Sequence, residues 1–352
     1  MKPLTDQYDG IERLLEFDFV RACENAAYTA YHWLGRGEKE LADAAACDAI
    51  RGMFDNMDIC AEVVIGEGIK DNAPGIFKGE QLGTWLPGTI RFEIALDPID
   101  GTTNIAKGAP NSIACIAAAI PQEHTKSALK DIPSFYMKKL AYGPEVTRYM
   151  LRNAGANALM LNAPIAANIE AVASILKKNV RDIVVLVMDR PRHDGLVKEI
   201  RATGAALRMI SDGDIAGAIA PSIPDSGIDL FTGIGGSPEA VLASAALKSL
   251  GGDMQSQMWP RDEAERQQII ADGYGEELGK IFRADDLASG PNIIFCATGI
   301  TDSPMIRGCR VAGTRVITHS ILMRAKTQSL RYIETHHELS TKKIPLRSTN
   351  RA

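Results

Sequence analysis

Residues 183–188 read Ile-Val-Val-Leu-Val-Met, an apolar run without alternation. A strand that shows one face to water alternates polar and apolar side chains, so an unbroken run of this kind marks a strand covered on both faces. The segments around it agree. A helix pattern occupies 193–203 and a strand pattern 206–210, with shorter elements at 214–220 and 228–232. Ser237 and Pro238 open a helix that runs to about 250, serine as its N-cap and proline at the first helical position. Later strands fit 292–298, 308–318 and 328–335, and the polar tail after Lys342 is expected to be loose.

The first half is ordered differently. A helix is predicted over 18–34, with Val20, Cys23, Ala27, Ala30 and Leu34 on one face and Gly35 and Gly37 ending it. A second is predicted over 40–57, with Leu41, Ala45, Ile50, Phe54 and Met57 inward. A strand at 62–65 stops at Gly66, 71–90 reads as turns or a hairpin, and strands follow at 91–96 and 112–120. Helices then strands, followed by alternating strand and helix, predict an α/β protein of two domains. These are a 1–160 α+β domain and a 161–352 α/β domain, with the C-terminal strands packing back at their interface.

Bulk properties narrow the function. A net charge of -5 argues against a nucleic-acid binder, whose footprint is usually basic. The longest apolar runs are far too short to span a bilayer. The opening MKPLTDQYDG has no basic region followed by an apolar stretch, so no signal peptide is expected. The cysteines at 23, 47, 60, 115, 296 and 309 form no CxxC pair and read as reduced core residues. A soluble, cytoplasmic protein is the expectation.

The strongest chemical signal is Asp97-Pro98-Ile99-Asp100-Gly101-Thr102-Thr103-Asn104, at the end of the 91–96 strand. Pro98 sets the chain direction, Gly101 permits a tight turn, and Thr102 places a hydroxyl beside two carboxylates. Such a set suits hard cations such as Mg²⁺ or Mn²⁺, although Asp, Pro and Gly also make plain β-turns. Glu67 stands between Gly66 and Gly68 at another strand end. Lys39 and Asp43 lie four apart on a helix, fit either for a metal and a phosphate or for a surface ion pair.

In the second half, Asp189-Arg190-Pro191-Arg192-His193 follows the covered strand and precedes a helix, where ligands of open α/β sheets gather. Its arginines make either a phosphate cradle or a charged surface loop. Ser211-Asp212-Gly213-Asp214 is a strand-end turn suited to sugar hydroxyls. In Gly233-Ile234-Gly235-Gly236-Ser237-Pro238-Glu239, Glu239 either ligates a metal or complements the helix dipole. No GxxxxGK[ST], full GxGxxG, HExxH or GxSxG motif occurs, and apart from the adjacent pair His336-His337, read as structural, the histidines show no metal-ligand spacing.

Taken in order, GxGEKxxAD (35–43), VIGEG (64–68), DPIDGT (97–102), DRPRH (189–193), DGD (212–214) and GGxPE (235–239) resemble the class II fructose-1,6-bisphosphatases. That family belongs to the lithium-sensitive, metal-dependent phosphatase superfamily. The resemblance covers roughly 18–337 and includes Thr318-His319-Ser320-Ile321-Leu322-Met323-Arg324, a stretch similar to a family signature. It implies a layered sandwich of alternating helix and sheet layers, as in inositol monophosphatase.

The resemblance also implies hydrolysis of the 1-phosphate of fructose 1,6-bisphosphate with Mn²⁺ or Mg²⁺, in a homo-oligomer (dimer or tetramer). Sedoheptulose 1,7-bisphosphate or another phosphate monoester is the alternative substrate, and a non-catalytic sugar-phosphate sensor the alternative role. By resemblance, Asp43 and Glu67 are ligands of one metal, and Asp97, Asp100 and Glu239 of a second. Thr102, Lys39 and Asp97 are catalytic. Asp100, Gly101, Thr102, Tyr136, Arg190, Pro191, Arg192, Asp212, Gly213, Asp214 and Gly236 contact substrate. The family usually carries Glu in the fourth position of DPxEGT, where this chain has the shorter Asp100.

Overall fold

The computed structural model describes residues 12–66, 75–121, 127–153 and 158–350. The chain is mixed α/β and divides into two compact units, residues 1–129 with 290–352, and residues 130–289.

In the first unit, helices α1 (Glu12–Tyr31) and α2 (Lys39–Phe54) precede strands β1 (Ile59–Ile65), β2 (Gln81–Leu82) and β3 (Ile90–Asp100). The short helix α3 (Thr102–Lys107) and strand β4 (Ile113–Ala119) follow. The sheet is completed from the far end of the chain by β10 (Ile293–Gly299), β11 (Arg310–Ala312), β12 (Arg315–Arg324) and β13 (Ser329–Glu338). Its order is β11-β12-β10-β4-β3-β1-β2, with β13 paired to β12. Among the described residues of this sheet, only the β1–β3 pair is parallel. Small residues make the helix layer thin: Ala22, Cys23, Ala26 and Ala27 of α1 and Ala42, Ala46 and Cys47 of α2 are fully buried. They let the helices approach closely around Phe19, whose ring lies 5.4 Å from that of Phe92 and 5.9 Å from that of Phe54.

In the second unit, β5 (Tyr136–Tyr142), β6 (Val184–Met188), β7 (Ala206–Ile210), β8 (Leu230–Gly236) and β9 (Asp253–Met258) form a sheet of order β7-β6-β8-β5-β9. Strands β6, β7 and β8 run parallel, while β5 is antiparallel to β8 and β9. The helices are α4 (Pro144–Arg152), α5 (Ile165–Leu176), α6 (Asp194–Ala202), α7 (Asp214–Ile219), α8 (Ser237–Leu250), α9 (Glu263–Ile269) and α10 (Ala284–Leu287). The apolar run at 183–188 is covered on both faces, as its composition requires. Val185 and Val187 pack with Ile169 and Val172 of α5 and Val197 and Ile200 of α6. On the other face α7 lies so close that a Cβ at Gly217 would sit 3.1 Å from Leu186 and 3.0 Å from Phe231.

Several local expectations change. The first helix begins at Glu12, ahead of 18, and α2 turns Ala42, Ala46, Cys47 and Ala49 inward while Leu41 is 48% exposed. Alanine needs little room, so the tighter helix contact wins over the larger leucine. The strand predicted over 308–318 is broken at Gly313 (φ +64), which turns the chain between β11 and β12. Strand β5, in a segment expected within 1–160, pairs with β8 and β9 and so belongs to the second sheet.

The tail after Lys342 is docked rather than loose. Arg347 in α11 (Arg347–Asn350) donates to Asp55 at 2.9 Å and Glu80 at 3.2 Å, and the Ser348 amide donates to Asp48 at 2.9 Å. Pro345 packs so tightly on Gly52 that no Cβ fits there. All six cysteines are free thiols, and only Cys60 is not buried.

Candidate active site

In the first unit β3 carries the DPIDGT turn. Asp97 and Asp100 are 3% and 4% exposed, and Asp97 Oδ1 accepts the Ile99 amide at 2.9 Å. The β3–β4 pairing slips between these residues, because Pro98 has no N–H to give the ladder and the strand bulges there. Gly101 then turns with φ +99. A Cβ there would lie 2.6 Å from Asn111 O, and the Ser112 hydroxyl ties the turn by donating to Gly101 O at 2.8 Å. Thr102, half-buried, opens α3 directly after the turn.

Lys39 is exposed at the start of α2, 3.5 Å from Glu40. One turn on, Asp43 is half-buried. Its Oδ2 faces Cys47 Sγ at 3.8 Å, and its Oδ1 is shielded from solvent with no hydrogen-bond partner. Burial pushes the Asp43 carboxyl above its ordinary value, against a smaller opposing effect from the Cys47 thiol. Glu67 and Gly68 lie outside the described residues. Among the described residues no group of three or more His, Cys, Asp or Glu side chains is placed to hold a metal ion.

In the second unit the candidate residues gather at the ends of β6, β7 and β8. Arg190 donates to Asp212 Oδ1 at 2.9 Å and to Ser211 O. Pro191 is exposed on the turn that follows. Arg192 donates through Nε and Nη2 to Ile234 O at 3.1 and 2.8 Å, and its guanidinium lies 4.7 Å from the centre of the Tyr136 ring. Tyr136 is paired with Gly236 across β5 and β8. Gly213 (φ +97) turns the chain between Asp212 and the buried Asp214.

Glu239, in the first turn of α8, holds its Oε2 away from solvent without a partner, and burial pushes its pKa up. Lys139 opposes that shift most strongly.

Two residues of this region carry weight that their motifs do not announce. His193 is 1% exposed, and its Nε2 accepts the Ile234 amide at 2.8 Å. That bond makes Nδ1 the protonated nitrogen, donating to Met188 O at 2.7 Å, so the ring is neutral and bridges β6 to β8. The RPRH turn thus claims both backbone polar groups of Ile234, its C=O through Arg192 and its N–H through His193. Arg192, His193, Lys138, Glu199 and Thr232 also line a cavity of about 240 Å³. Lys139 is fully buried and pairs with Asp214 Oδ2 at 2.6 Å. Strand alternation was the available signal, because of two adjacent lysines on a strand one must face inward.

A family model described as "Bacterial fructose-1,6-bisphosphatase, glpX-encoded" matches residues 13–337. The chain is similar to a fructose-1,6-bisphosphatase class 2 of Haemophilus influenzae, 38% identical over 340 residues, covering 94% of this chain and 97% of the relative. It is also similar to a fructose-1,6-bisphosphatase 1 class 2 of Escherichia coli strain K12, 36% identical over 344 residues, with the same shares covered. With a match this long, running through every motif segment described above, the chain belongs to the bacterial, glpX-encoded fructose-1,6-bisphosphatase family.

Proposed function

We propose that this chain hydrolyses the 1-phosphate of fructose 1,6-bisphosphate, giving fructose 6-phosphate and phosphate. The observation that carries the reading is its similarity, over 94% of its length, to two proteins named for that activity. The same resemblance supports an inositol monophosphatase-like layered fold, a cytoplasmic location and a dimeric or tetrameric assembly.

Two of the candidate carboxylates suit a hard divalent cation. Asp43 Oδ1 and Glu239 Oε2 are shielded carboxylate oxygens lacking hydrogen-bond partners, an arrangement that is costly without a positive partner. Asp43 and Glu67 would hold one Mn²⁺ or Mg²⁺, and Asp97, Asp100 and Glu239 a second. The chemistry supplied by the bound cations is charge neutralisation at the phosphoryl group and acidification of water.

The chain's own groups do the rest. The Thr102 hydroxyl orients the attacking water, and the Gly101 turn places Thr102 directly after the strand end that carries Asp97 and Asp100. Lys39 offers its ammonium to the phosphoryl oxygens. Arg190 and Arg192, spaced by Pro191, bind the distal phosphate together with Tyr136. Asp212, Gly213 and the Gly236 backbone bind the sugar.

The test is phosphate release from fructose 1,6-bisphosphate with Mn²⁺, Mg²⁺ or EDTA, in wild type and Asp97→Ala. Metal-dependent release that disappears in the variant supports reaction and site together. Wild-type release confined to sedoheptulose 1,7-bisphosphate or another ester moves the substrate assignment, and folded protein that binds sugar phosphate without releasing phosphate from any ester is a sensor.

A further inference from the structure

Strand β5 begins at Tyr136, whose ring centre lies 4.7 Å from the Arg192 guanidinium. Strand ends tend to fray, and Phe135, the residue before it, is 54% exposed. The Phe135 backbone is nevertheless fastened on both sides. Its C=O accepts the Ser237 amide at 3.1 Å, and its N–H donates to Glu265 Oε1 at 2.6 Å. Glu265 stands 130 residues further along the chain, in the first turn of α9. Its second oxygen, Oε2, accepts the Arg261 amide at 2.8 Å and Arg261 Nε at 2.9 Å. Burial pushes the Glu265 carboxyl up, but these donors outweigh it and hold the group below its ordinary value.

The segment gathered in this way lies against Tyr136. The Trp259 amide donates to Tyr136 O at 2.9 Å, and the Trp259 and Tyr136 ring centres are 6.2 Å apart. The Arg261 guanidinium lies 4.4 Å from the centre of the Phe135 ring.

We propose that Glu265 is a positioning residue: by tying the 259–265 segment to the Phe135 amide, it holds the Tyr136 ring where Arg192 rests on it and so sets that pair for the distal phosphate. It acts through Tyr136 rather than by touching substrate. The phosphate assignment rests on the fructose-bisphosphatase reading, whereas the tie between Glu265, Trp259 and Tyr136 does not.

The experiment uses the full-length protein labelled with 5-fluorotryptophan, as wild type, Glu265→Gln, Glu265→Ala and Glu263→Gln. The last removes an equal charge from the same helix turn, where Glu263 meets Gln267 rather than β5. The chain has three tryptophans, and the fluorine resonance of Trp259 is the one missing from Trp259→Phe. Without any ligand that resonance should shift or broaden in both Glu265 variants, while those of Trp33 and Trp85 stay in place. Both variants should raise KM for fructose 1,6-bisphosphate by roughly tenfold, as is usual when a group that orients a binding residue is lost, with kcat nearly unchanged. Glu263→Gln should do neither. In a Tyr136→Ala background, Glu265→Ala should add no further rise in KM, because the ring it positions is gone.

If Glu265→Ala does not fold, Glu265→Gln carries the test, since its single amide oxygen can serve the Phe135 side or the Arg261 side but not both. An unmoved Trp259 resonance, an equal KM rise in Glu263→Gln, or KM effects of Glu265→Ala and Tyr136→Ala that multiply in the double variant would overturn the proposal. A wild type inactive on fructose 1,6-bisphosphate would overturn the substrate reading alone, because the Trp259 resonance still decides the tie.

Discussion

The end of β3 and the end of β6 are built in opposite ways. At β3 the charges are carboxylates held almost entirely out of water, on a bulged strand stiffened by Pro98 and tied down by Ser112. At β6 the charges are arginines on a 3₁₀ turn, Arg190 half-buried and Arg192 exposed, held by carbonyl oxygens and by Asp212. Buried anions need a compensating charge, so the first arrangement is poised for cations. Exposed guanidiniums are already solvated and lose little on meeting a phosphate, so the second is poised for reversible anion binding. Under the proposed function, chemistry and anchoring fall in different solvent environments.

That contrast predicts a graded set of losses. Asp97→Asn keeps the volume and removes the charge, and should lower kcat/KM by about 10³-fold, as does loss of a central electrostatic group elsewhere. A loss under tenfold would mean that the β3 carboxylates are structural. Arg192→Ala removes a group bonded to Ile234 O and stacked on Tyr136. It should raise KM by about tenfold with kcat held, the loss typical of one charge-assisted hydrogen bond. A fall in kcat of the same size would erase the division of labour.

Gly101→Ala forces an L-residue to φ +99 against Asn111 O. It should destabilise the protein by about 1–3 kcal/mol, read as a lowered thermal midpoint, while equivalent changes in the β6 turn barely move it.

The smallest effect concerns His193. Burial, the largest influence, pushes its pKa below the ordinary 6.5, aided by Arg192 and Arg190, while the Met188 carbonyl and Asp214 oppose the shift. The unfolded chain therefore binds its proton first as pH falls. The stability contributed by the neutral ring is complete above about 6.5 and lost as pH drops through the lower folded value. Thermal midpoints from pH 8 to 5 should fall more for wild type than for His193→Asn. Equal slopes would remove the imidazole from the bridge between β6 and β8.

Much of this was legible in the chain. The run at 183–188 announced a strand covered on both faces, and DPIDGT announced carboxylates at a strand end, because periodicity and turn chemistry are local properties. The tail was not legible. Residues 347–350 are polar, and only the prior existence of Asp48, Asp55 and Glu80 gives Arg347 and Ser348 a place to dock. Strand β5 is not legible either, since Tyr136–Tyr142 mixes lysines with apolar residues and becomes a strand through its pairing with β8 and β9.

By itself, then, the sequence determined the α/β class, the motif order that marks the family, and which residue types stand at which strand ends. All of these follow from short-range stereochemistry and spacing. Tertiary structure alone decided which lysine of Lys138-Lys139 is buried, which nitrogen of His193 carries the proton, and which oxygens of Asp43 and Glu239 lack a partner. Those outcomes depend on groups distant in the chain, such as Asp214 for Lys139 and Ile234 for His193, which only folding brings near.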